Sequence, residues 1–241
     1  MTLGLETTKI KRTGYVPAFL CCGLLASAFP LVNMLVRPET FTALSGNPFS
    51  ILMDANWQMM AMLNILALIC GACVMYHTEY ADNGAQKMDV LPVRTGSMFL
   101  GKFTISALLL ATMIVLETAV LTGCAVYWFP SYEFNLLELL KCTAFQWFIT
   151  LPTVMLMLVI ASACKNMWVS LGIGVILVFT LSILPQENLV LSLLPFSSPY
   201  QAFATVAEQN QILLFLGICA VETAVLGIAE LLYQKIRRCY E

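Results

Sequence analysis

Charge is what this sequence has least of. Only 11 % of its 241 residues are Asp, Glu, Lys or Arg, and 60 % are hydrophobic. Soluble domains run at about 25 % charged and about 45–50 % apolar. A chain of this size could not hide so much apolar surface from water, so its solvent is lipid. Histidine is nearly absent: His77 stands alone, at the edge of an apolar run. That excludes a Cys/His metal cluster and leaves an intramembrane protease of the metal or Ser/His type without its parts. Basic runs are missing too. The longest, Lys9-Ile10-Lys11-Arg12, reads as the solvated flank of a membrane span, and nothing in the sequence offers a footprint for nucleic acid. Cysteine is plentiful, but eight of the nine lie within or beside apolar runs and read as small packing residues. Cys70-Gly-Ala-Cys73 has redox-motif spacing but no strand before it.

What is present is a series of long apolar runs. A helix rising 1.5 Å per residue needs about 20 residues to cross roughly 30 Å of hydrocarbon. Six segments qualify, at 14–36, 57–76, 102–128, 142–163, 168–184 and 212–233, the fifth being the shortest. Helices satisfy their own backbone groups in lipid, so the expectation is an all-α polytopic membrane protein forming one transmembrane domain, 1–241. The first run imitates a secretory signal, with Lys9 to Arg12 ahead of it and Ala26-Ser-Ala28 as a cleavage site. It continues through Pro30 to Val36, however, and is expected to stay as the first span. With the N-terminus in the cytoplasm, ten of the twelve Lys and Arg residues fall inside and only Arg37 and Lys141 outside. The positive-inside rule therefore predicts both termini in the cytoplasm. Pro30 and Pro152 are expected to kink their spans. Ser170, Gly172 and Gly174 leave one side of the fifth span small enough for close packing.

The stretch RTGSMFLGKFT, residues 94–104, reads Gly96-x-x-x-x-Gly101-Lys102, one residue short of a phosphate-binding P-loop. A P-loop needs Ser or Thr directly after the lysine, for Mg²⁺, and a strand in front. Here Phe103 follows Lys102, and the stretch runs straight into an apolar helix. The match is accidental, and the chain is expected to bind no ATP and to carry no cofactor of its own.

Residues 77–102 form the one sizeable cytoplasmic link, HTEYADNGAQKMDVLPVRTGSMFLGK. Its mixed polarity suits a solvated connector or a short surface helix that docks a cytoplasmic partner, with Pro92 and Gly96 as helix breakers. Glu79, then Gly84, then Leu91-Pro92-Val93-Arg94, then Gly101-Lys102 follow one another in an order that resembles the permease subunits of type-2 ABC exporters. More narrowly, the chain resembles the permeases of lantibiotic-immunity transporters. The resemblance implies a non-catalytic subunit in a bacterial plasma membrane that removes antimicrobial peptides. It also implies a partner ABC ATPase, in two copies, that uses the ATP and Mg²⁺, and a second permease chain, identical or related. It makes 77–102 a coupling helix, with Glu79, Gly84, Leu91, Pro92, Arg94 and Lys102 as the candidates for ATPase contact. Alternatives are a permease for another amphipathic or lipid-like substrate, or a secondary transporter or channel working alone. The last of these lacks the inverted repeat such proteins often show.

On the outside, 185–211 contains no Lys or Arg. Its apolar part, NLVLSLLPF, is far too short to cross, SSPY breaks it, and QAFATVAEQN reads as a second short helix. Type-2 exporters are similar in having a re-entrant hairpin before the last span; the alternative is a loosely packed loop. Residues 37–56 are expected to cap the outer mouth. Two acids, Glu117 and Glu222, sit in the third and sixth spans with no Lys or Arg at their depth. Intramembrane acids are expensive and rare. Asn64 and Gln146 are possible polar partners. The acids serve either as interhelical glue or as the lining of a polar cavity that would suit a cationic peptide.

Overall fold

The computed structural model describes residues 2–11, 13–80, 95–130, 132–164, 166–183, 188–208 and 211–240. Every regular element among them is helical: α1 Thr2–Lys11, α2 Tyr15–Val36, α3 Pro38–Thr42, α4 Pro48–Tyr80, α5 Thr95–Trp128, α6 Leu136–Ala163, α7 Met167–Ser182, α8 Leu189–Ser192, a 3₁₀ turn Ser198–Tyr200, α9 Phe203–Glu208 and α10 Ile212–Tyr240. Asparagine starts several of them. Asn135 accepts the first free N–H groups of α6 from Leu137 and Glu138, and Asn166 does the same for Trp168 at α7. Asn188 caps α8 through Val190, and Asn47 takes the Phe49 N–H at the head of α4. A short acceptor side chain at this position satisfies donors that the helix itself leaves open.

Five helices are long and apolar enough to cross a membrane: Tyr15–Val36, Pro48–Tyr80, Gly96–Trp128, Leu136–Ala163 and Ile212–Ile236. The sixth expected span is α7, whose 16 residues reach about 24 Å, short of a full hydrocarbon thickness. It runs antiparallel to α4, with Ser170 Oγ 3.2 Å from Cys73 Sγ and Gly174 against Ile69. A Cβ on Gly174 would stand 2.8 Å from the Ile69 side chain, so the small face expected of this segment is used there; Gly172 faces open space instead. Helices α2 and α6 run unbroken through Pro30 and Pro152.

Helix α4 is the central element, packed against α2, α5, α6 and α7, with Leu52, Met53, Trp57, Met60 and Ile65 fully covered. It begins nine residues before the apolar run that announced it, so part of the expected outer loop 37–56 is helix. Asn47 and Pro48 supply the start, and Asp54 and Asn56 ride in the first turns without interrupting the backbone ladder.

Residues 188–208, between α7 and α10, are docked rather than loose. Trp57 Nε1 donates to the Pro199 carbonyl at 2.8 Å, Ser198 Oγ to that of Ile149 at 2.9 Å, and Gln146 Nε2 to that of Gln201 at 3.1 Å. The Thr153 hydroxyl donates to the Pro195 carbonyl. Ile149 and Thr153 lie midway along α6, so this segment reaches the middle of the bundle before turning back to α9.

Candidate functional site at the α1 end of the bundle

Helices α1, α4 and α5 converge on a closed ring of four charges. Lys9 Nζ lies 2.8 Å from Glu6 Oε1 and 2.9 Å from Glu79 Oε1. Lys102 Nζ lies 2.6 Å from Glu79 Oε1 and 3.4 Å from Glu6 Oε2. Each lysine meets both acids and each acid both lysines. Glu6 and Lys9 come from one face of α1, three residues apart, where helical geometry stacks them. Glu79 is in the last turn of α4 and Lys102 in the third turn of α5, so the ring ties together the two helices that precede and follow residues 81–94 in the chain. The side chains of Lys102 and Glu6 are each only 2 % exposed. Burying charges is costly unless each is paired, and here the ring is neutral as well as closed. Lys102 also stands 5.2 Å from the centre of the Tyr76 ring, close enough for a cation–π contribution. Burial alone would lower the Lys9 pKa. Hydrogen bonds and charge from Glu6 and Glu79 outweigh it and raise the value above the ordinary 10.5.

The ring explains the P-loop look-alike. Residues 96–102 are α-helix, not a phosphate-cradling loop. A Cβ on Gly101 would lie 3.3 Å from Glu6 Cγ, and one on Gly96 only 2.6 Å from the Leu231 side chain. These glycines let α1 and α10 approach α5, and the lysine that follows them is committed to two carboxylates.

A second polar link leaves the same turn of α4. Tyr80 donates its hydroxyl to the Ser162 carbonyl at 2.5 Å, and Ser162 Oγ donates to Glu230 Oε1 at 2.6 Å. Gln234 also donates to Glu230, at 2.8 Å. Glu230 is 1 % exposed and ties α6 to α10.

Of the six coupling residues expected from sequence, Glu79 and Lys102 come together here. Gly84, Leu91, Pro92 and Arg94 lie outside the described residues. The partners Glu6, Ser162 and Glu230 were missed. The one available signal was Glu6 three residues before Lys9, in a segment read only as a charged flank.

The two intramembrane acids stand apart from this ring. Glu117 is fully buried, and Asn64 Nδ2 of α4 donates to its Oε2 at 2.9 Å. Glu117 Oε1 and Asn64 Oδ1 have no partner among the described residues. Asn64 is thus the polar partner foreseen for it, whereas Gln146 turns to Gln201 instead. Glu222 lies on α10, partly exposed, with Oε2 covered but unbonded among the described residues. Among the described residues no three His, Cys, Asp or Glu gather to hold a metal.

Residues 2–181 match the family model described as ABC-2 family transporter protein. No curated protein and no solved structure gives a match. The matched stretch takes in the whole ring, the five helices α2 to α7 other than the short α3, and the 81–94 segment between Glu79 and Lys102. A bundle of apolar helices with this match is a multi-pass membrane protein, a transport subunit rather than an ATPase: the chain belongs to the ABC-2 transporter family, as a permease subunit of an ABC exporter.

Proposed function

We propose that the chain is the membrane half of an exporter that clears cationic, lantibiotic-like peptides from the bilayer and so confers immunity on the bacterium that carries it. It crosses the membrane six times, pairs with a second permease chain, and takes its power from two ABC ATPase subunits. The observation that carries the topology is the ring itself. Glu6 and Lys9 precede the first span, while Glu79 and Lys102 flank the link between the second and third. Two crossings separate them, so their contact requires that both lie on one side. The excess of Lys and Arg makes that side the cytoplasm. The segment 81–94, with Gly84, Leu91, Pro92 and Arg94, then faces the ATPase. Leu91 fills an apolar socket and Arg94 pairs a carboxylate by its fork. Lys102 and Glu79 serve from within, by fixing the two ends of that segment.

The peptide substrate is supported by chemistry at the other end and in the span. Asp54 beside Thr205 and Glu138 beside Asn47 put acids at the α3–α9 end, and Glu222 is partly exposed on α10, charge of the sign that would draw a cation; Glu117 lies buried against Asn64. A permease for another amphipathic or lipid-like substrate is the second reading, favoured by how apolar the bundle's lateral groove is, between Phe103, Met155 and Ile228.

The test is co-expression with the cognate ATPase. The expected result is a copurifying complex, with survival under lantibiotic challenge that is lost on Leu91→Ala with Arg94→Ala while membrane insertion persists. A complex that forms but gives no protection against peptide removes the substrate assignment and leaves the second reading. Labelling of a cysteine at Gly84 from outside would overturn the topology.

A further inference from the structure

Helix α10 packs mainly against α6, and a lateral groove of about 430 Å³ lies between it and α5. Leu151, Met155 and Gly227 line it as buried residues, while Leu100, Ala224 and Ile228 are exposed along its edges. Among the lining side chains only Thr223 carries an O–H, and it donates to the Cys219 carbonyl at 2.7 Å. A peptide laid here would leave its amides unmatched, whereas a hydrocarbon chain has nothing to leave unpaired. Along α10 the lining runs from Ala220 to Leu231, a rise of about 16 Å. That is close to one leaflet's half of the roughly 30 Å hydrocarbon core.

Positive charge begins where the groove ends. At about 100° per residue, the lining positions of α10 fall within a sector about 140° wide. Lys235 is exposed in that sector, one turn past Leu231, and the register carries the sector on to Arg238. Among the described residues no carboxylate forms an ion pair with Lys235. The acids of α10 lie elsewhere: Glu222 is on the opposite side of the helix, and Glu230 turns to α6, where Ser162 donates to it. We propose that the groove holds a resident anionic phospholipid of the cytoplasmic leaflet, one acyl chain between α5 and α10 and its headgroup at the basic end of α10. The chain fills a gap whose lining would otherwise forfeit dispersion contacts. Basic residues at the cytoplasmic end of membrane helices favour anionic headgroups. Only the choice of leaflet rests on the C-terminus being cytoplasmic.

The full chain is reconstituted in phosphatidylcholine vesicles with a trace of a photoreactive phospholipid. This probe carries a diazirine on its acyl chain and either a phosphatidylglycerol or a phosphatidylcholine headgroup. Adducts are mapped by peptide mass spectrometry after illumination. The glycerol probe is expected to label residues 100–103, 151–155 and 220–231 about five-fold or more above the choline probe, the factor one basic residue supplies. No such preference is expected on the exposed face of α2 at Leu24 and Leu25. Lys235→Gln with Arg238→Gln should bring the two probes level at the groove. Ala224→Phe, at an exposed edge, should cut labelling there by both. Equal labelling by the two probes in the parent, or the same preference on α2, overturns the site, as does a preference that survives the charge substitutions. If neither probe labels the groove and Ile228→Cys forms disulfide-linked dimers, the groove belongs to a second copy of this chain and the proposal falls. With the ATPase subunits present, a preference lost on ATP turnover would make the lipid cargo and overturn its residence. Labelling of a cysteine at Gly84 from outside would reverse the topology and move the site to the other leaflet, without altering the outcomes in these symmetric vesicles.

Discussion

Two buried acidic sites on α5 and its neighbours solve the same problem in opposite ways. At the α1 end, four charges leave water together and each finds two of the opposite sign. About four turns further along α5, Glu117 leaves water with only the Asn64 amide for company, and one of its oxygens has no partner among the described residues. The first arrangement depends on charge: take away one member and an ion is left bare. The second depends on a hydrogen bond, which a neutral side chain can also make. Where along a helix a charge is buried matters less than what it is buried with.

The largest effect expected is that of Lys102→Ala. It leaves Glu6 and Glu79 facing each other across Lys9, one buried charge in excess, and removing one partner of a buried ion pair costs about 3–5 kcal/mol. Thermal or denaturant unfolding of the purified chain in detergent should show the drop. Glu79→Gln combined with Lys102→Gln should recover most of it, because charge of both signs leaves together. An unchanged midpoint in Lys102→Ala would show that the ring is not closed in the membrane, and the contrast with Glu117 would collapse.

At Glu117 the expected order is different. Glu117→Leu leaves the Asn64 amide without its acceptor, at about 1–3 kcal/mol for an unpaired buried group. Glu117→Gln keeps an acceptor for Asn64 Nδ2 and adds a donor that Asn64 Oδ1 can take. Its cost should fall below about 0.6 kcal/mol, the average for an interhelical hydrogen bond in a membrane. Unfolding midpoints decide the first comparison. Peptide protection by the co-expressed complex decides whether the carboxyl also serves transport: a fall with Gln at unchanged stability assigns it to the pathway, and unchanged protection makes it glue.

The same contrast marks what could be read from the chain. The apolar runs located five helices because hydrophobic length is a local property, and α2 and α6 start or end within a few residues of the expected places. The helix extensions were hidden, since Asp54 and Asn56 look like loop residues unless the Asn47-Pro48 start is recognised. Helix α1 was hidden for the same reason: Lys9 and Lys11 look like a solvated flank. Glu79 and Lys102 stood out through their motif, but their partners did not, because Glu6 is distant in the chain and Ser162 and Glu230 carry no pattern. Pairing across helices is a property of packing, and the amino-acid sequence records it only as an acid or a serine in an otherwise apolar run. Asn64 was foreseen for Glu117 because polar residues are so few in these spans that the choice was short.

The smallest effect is at the rim of the ring, and pH exposes it. Lys9 is the most exposed of the four, and its pKa is raised in the folded chain. A cation with a raised folded pKa adds stability that is fully present below its unfolded value, here the ordinary 10.5, and is lost as pH climbs through the folded value. The parent should therefore be more stable than Lys9→Met by a constant margin from neutral pH to about 10, and the margin should shrink beyond that. Taking the difference between the two chains at each pH removes every other titration they share, provided the rest of the ring holds. The margin itself should be modest, because water reaches Lys9 and screens it. Raising the salt concentration should narrow it at neutral pH while leaving the loss caused by Lys102→Ala almost untouched, since screening acts on exposed pairs far more than on buried ones. A Lys9 margin that ignores both pH and salt would mean that this lysine contributes only by the packing of its stem, and that the ring's work is done by Glu6, Glu79 and Lys102.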